Sequence, residues 1–189
     1  MNSSNASPYS VLFDTTVLCG AIRTDGINRK LLRLAGENLN FTPVLSRVCL
    51  MEFYKKAIYD GIAGTVYPEP IVEQFLDHFV YPVLENHPVV NSKVGRYHWE
   101  IIKRTEMKIG QALAEISGCT TEEAFYFAEQ LGLQNPLNSY DQQDVHVWVT
   151  AIQEKCKFIV SSNSRRFPET IGYITRIKPG EFYNLIMEE

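Results

Sequence analysis

Short apolar runs alternate with helix-patterned stretches along this chain, and that alternation constrains the fold more than any other feature. Residues 10–13, 41–45, 157–160 and 173–177 are brief runs rich in Val, Ile, Phe and Leu, too short for helices and bounded by polar or turn-forming residues. Between them the apolar spacing turns helical. Leu31, Leu32, Leu34 and Ala35 mark a helix over 28–35, with Gly36 as a glycine C-cap. Ser46 is placed to cap a helix that carries Val48, Cys49, Phe53 and Ala57 inward and stops near Gly61. A helix over 141–155 runs into the third strand, and a last one follows Pro179. Strands alternating with helices predict an α/β fold: a mostly parallel sheet with helices on both faces. The 189 residues suit one domain spanning 1–189, with a helical middle segment over 62–136. There Ile71, Phe75, Phe79 and Val83 mark one helix face, 94–116 a long helix, and Thr120-Thr-Glu-Glu123 a capping box.

In such sheets ligands bind beyond the carboxyl ends of the strands. Asp14 closes the run Val11-Leu-Phe, and Ser161 and Asn163 follow Phe158-Ile-Val160. Glu52 belongs to the helix after Ser46; Asp141 and Asp144 open the helix before the third strand. Oxygen ligands on separate elements, without a His or Cys cluster, suit a hard cation such as Mg²⁺ or Mn²⁺. Such sites most often act on phosphates. Each residue also has a plainer reading. Asp14 suits a turn cap, Asp141 an N-cap, and Glu52 an exposed ion pair with Lys56 at i+4. Asp141 and Asp144 are three residues apart and share a helix face, where the helix N-terminus favours their charge. Asp144 lies beside the apolar stripe Val145, Trp148, Val149 and Ile152. His78, His87, His98 and His146 are scattered and read as structural or exposed, with His146 directed to a different face from Asp144.

Net charge is −4, so bulk attraction does not make this chain a coat for nucleic acid. A local basic rim would have to serve. Arg165-Arg166 and Lys55-Lys56 lie nearest the acidic residues, with Arg23 and Arg47 as further candidates; a solvated surface explains any single one of them slightly better. No phosphate-binding glycine loop occurs, and Asp14-Thr-Thr16 lacks the second Asp of a phosphoaspartate motif. The four cysteines have neither C-x-x-C nor zinc spacing, which fits reduced thiols in a cytoplasmic setting. Neither a secretory leader nor a membrane span is expected.

Val11-Leu-Phe-Asp14-Thr-Thr-Val-Leu18 resembles the opening motif of PIN domains. Leu45-Ser-Arg-Val-Cys-Leu-Met-Glu52 is similar to their second acidic motif. Asp141-Gln-Gln-Asp144, followed by Phe158-Ile-Val-Ser-Ser-Asn163-Ser-Arg-Arg-Phe167-Pro168, resembles the third and fourth. The similarity covers residues 9–60 and 137–186 and is nearest the prokaryotic branch of VapC-like toxins, which the ending Ile177-Lys-Pro-Gly-Glu-Phe182 also resembles. It implies a three-layer α/β/α sandwich and a Mg²⁺- or Mn²⁺-dependent endoribonuclease that cleaves single-stranded RNA. The setting it implies is a toxin–antitoxin pair, with an antitoxin protein as partner and a homodimer as the assembly. Asp14, Glu52 and Asp144 match the core metal ligands and Asp141 an acidic position beside them. Thr16, Ser46, Ser161, Asn163 and Arg165 fall at positions implied to support the ligands or hold phosphate. Asn163 and Arg166 stand where many members carry Asp, so the fourth corner is neutral to positive. That departure keeps open a catalytically degenerate module that only binds RNA or protein. An unrelated α/β enzyme acting on small phosphate esters is a third reading.

Overall fold

The computed structural model describes residues 9–37, 41–91, 144–165, 167, 169–171 and 173–188. Asp141, the side chain of Val145, the 94–116 helix, the Thr120 capping box, His98, Cys119 and Arg166 lie outside the described residues. The described chain runs β1 (Tyr9–Phe13), α1 (Thr15–Arg23), α2 (Ile27–Gly36), β2 (Phe41–Val44) and α3 (Arg47–Lys55). Helix α3 continues into a π-helical segment (Lys56–Asp60). After it come α4 (Glu69–Phe75), a second π segment (Leu76–Val80) and α5 (Tyr81–Asn86). The chain closes with α6 (Val145–Gln153), β3 (Phe158–Val160), β4 (Thr170–Ile171), β5 (Ile174–Ile177) and α7 (Pro179–Glu188). This is a mixed α/β fold around one sheet.

The strand order is β2-β1-β3-β5-β4. The first four strands in that order pair in parallel, and the short edge strand β4 pairs antiparallel with β5. β1 is an interior strand, and its last three residues, Val11, Leu12 and Phe13, are fully buried. A strand buried on both faces needs an unbroken apolar run, which is what the sequence supplies. From β1 the chain turns outward to β2, and it returns much later to lay β3 on the other side. The switch point therefore falls between β1 and β3, where parallel sheets open a crevice at their carboxyl edge.

Val11 and Phe13 join a core cluster with Val17, Leu18 and Ala21 of α1, Leu31 and Leu32 of α2, and Phe182 of α7. Leu12, which alternation turns the other way, is equally buried, and α6 packs against β1. Ser46 caps α3 as the sequence predicts, its Oγ accepting the Cys49 N–H at 3.1 Å. The hydroxyl is fully buried, so Ser46→Ala is expected to cost about 1 kcal/mol in urea unfolding.

Three expectations need correction. Gly36 is not a left-handed cap: it is the last residue of α2, Glu37 caps the helix at φ −93°, and the positive-φ glycines among the described residues are Gly61 and Gly64. The helix face in the middle segment is only partly the predicted one. Phe75 and Val83 are buried as expected, but Ile71 is exposed, and Val72, Leu76 and Val80 turn inward beside them. Phe79 is only half-buried and instead lies under the guanidinium groups of Arg29 and Arg33, at 5.1 and 5.2 Å. Third, α1 and β4 are elements that the apolar runs did not announce.

Cys156 lies fully buried between α6 and β3. Burial pushes its thiol up to about 12 from the ordinary 9.0. The folded state thus favours the protonated form. Its contribution is complete below pH 9 and is lost as pH rises toward 12. Between pH 8 and about pH 10.5, Cys156→Ala is expected to lose less stability than wild type in urea titrations. Equal losses in the two proteins would contradict this.

Candidate active site

The carboxyl edges of β1 and β3 bring Asp14 and Ser161 together although they are 147 positions apart. Asp14 follows β1 directly and occupies the N-cap of α1. The turn-cap reading is therefore correct for its backbone, but the side chain does more than cap. Its Oδ2 accepts from Ser161 Oγ at 2.7 Å, Thr16 Oγ1 at 2.8 Å and Thr16 N at 3.4 Å. The carboxylate is 4 % exposed. A charge so deeply buried needs such donors, and the α1 N-terminus adds favourable potential. All three donors go to one oxygen, and Asp14 Oδ1 has no donor among the described residues.

Asp144 sits at the N-cap of α6 without capping it. Its Oδ2 instead accepts from Asn163 Nδ2 at 2.7 Å. Asn163 is itself held at both ends: its N–H donates to Ser161 Oγ at 3.0 Å, and its Oδ1 accepts the Arg165 N–H at 3.1 Å. The Ser162 N–H donates to Thr16 Oγ1 at 3.0 Å. A short loop after β3 thus ties Asp14 to Asp144 through hydroxyl and amide groups. The Arg165 side chain is exposed beside it.

Glu52 approaches from α3. It makes no ion pair with Lys56; its Oε2 accepts from Thr15 Oγ1 at 2.7 Å, and Oε1 lies 3.4 Å from His146 Nε2. Burial alone would raise the Glu52 carboxyl. The His146 ring, the Thr15 hydroxyl and the Lys56 ammonium outweigh burial and hold it below the ordinary carboxylate range. Lys55 is engaged elsewhere, 3.2 Å from Asp60.

His146 and Thr15 are the residues that the sequence reading missed. His146, read from sequence as structural or exposed, is buried. Burial would depress its pKa, yet the neighbouring Cys49 and Glu52 raise it. Helix α6 has Val147, Trp148, Val149, Ala151 and Ile152 all buried as well as His146 and Thr150, so it offers no open face for a histidine to point to. The available signal was an apolar run around His146 too continuous for a surface helix.

Against known proteins, the chain matches no family model, no curated protein and no solved structure.

Among the described residues, no group of three or more His, Cys, Asp or Glu side chains converges closely enough to hold a metal ion. The set expected from sequence, Asp14, Glu52, Asp141 and Asp144, is thus not assembled as a closed cage, and Asp141 lies outside the described residues. The donors nevertheless fit a small hard cation. Mg²⁺ keeps most of its waters and takes one or two protein carboxylates, and among the described residues Asp14 keeps one oxygen without a donor. Ser46 accepts from Cys49 N–H as the cap of α3 and is fully buried. An open groove of about 350 Å³ lies elsewhere, along α3, lined by Leu50, Met51, Tyr54, Tyr59 and Tyr81 and by none of the acidic residues above.

Proposed function

We propose that this protein is a metal-dependent endoribonuclease with a PIN-like α/β/α fold that cleaves single-stranded RNA. The observation that carries the reading is Asp14: a carboxylate buried at the sheet's switch point, fixed through one oxygen and, among the described residues, left without a donor at the other. A buried charge of that kind is costly in a purely structural role. Asp14 and Asp144 would hold Mg²⁺ or Mn²⁺ with Glu52 completing the set and Asp141 beside it. The ion, when bound, lowers the pKa of an attacking water and neutralises phosphoryl charge. The chain's own groups do the positioning. Ser161 and Thr16 hold the Asp14 carboxylate in place. Asn163 orients Asp144. Arg165, on the exposed side of the loop, attracts backbone phosphate. The setting that fits is a cytoplasmic toxin held by an antitoxin protein, with a homodimer as its assembly. No described helix is long and apolar enough to cross a membrane.

A second reading has one observation in its favour. The fourth corner is neutral, and Asn163 already spends its amide on Asp144 and its carbonyl on Arg165. A degenerate module that grips RNA or a protein partner without cutting would tolerate that arrangement. Incubating a labelled single-stranded RNA pool with Mn²⁺ or Mg²⁺, and with EDTA, separates the two. Metal-dependent cutting is expected; RNA bound but uncut by folded protein would favour the binding module.

A further inference from the structure

His146 is buried among apolar neighbours, and neither of its ring nitrogens makes a hydrogen bond. Its Nε2 lies 3.4 Å from Glu52 Oε1, within ion-pair distance, and Cys49 is the other group beside the ring. A buried imidazole is expensive unless it is paired, and an aliphatic side chain would fill the same space without that penalty. Apolar packing alone therefore does not account for an imidazole here; its pairing with Glu52 does. The other oxygen of Glu52 is held by Thr15 Oγ1 at 2.7 Å. Thr15 directly follows Asp14, and His146 lies two residues beyond Asp144. Each of the two groups on Glu52 is thus carried by the segment that carries another carboxylate of the site.

We infer that His146 and Thr15 form a two-point clamp on Glu52 that aims its carboxylate at the corner between Asp14 and Asp144, which makes His146 a positioning residue for the metal ligand. The inference rests on the metal-dependent reading above. Groups that hold a ligating carboxylate or imidazole set its direction, and their loss typically weakens metal binding about 10–100-fold. Thr15 fixes Glu52 from α1 and His146 from α6, so neither can be removed without freeing one oxygen.

Mn²⁺ binding, followed by the paramagnetic resonance signal of the free ion, tests this without reference to RNA. Wild type is expected to bind, and Asp14→Asn to lose binding. His146→Leu keeps the volume and removes the polar contact; its affinity is expected to fall about 10-fold or more. His146→Gln places an amide donor near the position of Nε2 and is expected to return affinity to within a few-fold of wild type. Thr15→Val, nearly isosteric, is expected to weaken binding like His146→Leu, and it carries the test if His146→Leu fails to fold. Wild-type affinity in a folded His146→Leu or Thr15→Val would overturn the clamp while leaving the metal site standing. Equal weakening in the Leu and Gln variants would also overturn it, because that pattern reports packing alone. Absence of Mn²⁺ binding by wild type would overturn both the clamp and the nuclease reading.

Discussion

Asp14→Asn is expected to lower Mn²⁺-dependent cleavage of single-stranded RNA by on the order of 100-fold or more, with little change in fold. The size follows from removing a charge at the reacting centre, where a single electrostatic partner commands about 10²–10³ in rate. Preservation of the fold follows from the geometry. Asparagine is as good an N-cap as aspartate, so the contact with the Thr16 N–H survives. The hydroxyls of Ser161 and Thr16 can still donate to an amide oxygen. Loss of activity without loss of helix signal in circular dichroism would place the effect in charge rather than in folding. A variant that cuts as fast as wild type under the same Mn²⁺ would remove Asp14 from the chemistry and with it the main support for the nuclease reading.

Phe182→Ala is expected to give the largest change in stability, about 3–5 kcal/mol in urea unfolding. Phe182 is fully buried on α7 and meets three other rings edge-on or tilted: Phe41 at 5.3 Å, Phe158 at 5.9 Å and Phe13 at 6.4 Å. Those rings come from β2, β3 and β1, so one side chain holds the last helix across three strands. Truncation loses the transfer free energy, leaves a cavity and removes aromatic contacts worth about 0.5–1.5 kcal/mol each. Met187, on the same helix but exposed, provides the control; Met187→Ala is expected to stay within about 0.5 kcal/mol. A loss below about 1 kcal/mol for Phe182→Ala would mean that α7 is not anchored as described.

The architecture was legible where the determining interactions are local. Val11-Leu-Phe reads as a strand buried on both sides because three successive apolar residues leave no face for water, and it is an interior strand between β2 and β3. Ser46 reads as a cap because its hydroxyl reaches an N–H only three residues on. Asp14 stood out because it ends a buried run. Elements with weak local signals escaped. β4 is two residues long and exists through its antiparallel pairing with β5. In the middle segment Phe75 and Val83 turn inward as their spacing predicts, while Val72 and Val80 are buried in place of Ile71 and Phe79.

The candidate site divides in the same way. The sequence by itself determined which residues carry charge at strand ends and helix starts: Asp14, Asp144 and, one helix away, Glu52. Those assignments depend on neighbours a few residues apart, through periodicity, capping and the run of apolar residues before each acid. Only the tertiary structure decided what each carboxylate meets. Ser161 reaches Asp14 because β1 and β3 pair in parallel, with Phe13 beside Val160. Asn163 turns to Asp144, and His146 and Thr15 close on Glu52, because α1, α3 and α6 pack at one edge of the sheet. Contacts between residues so distant in the chain depend on strand order and helix packing, which the buried core fixes collectively and which no local pattern around any one residue encodes.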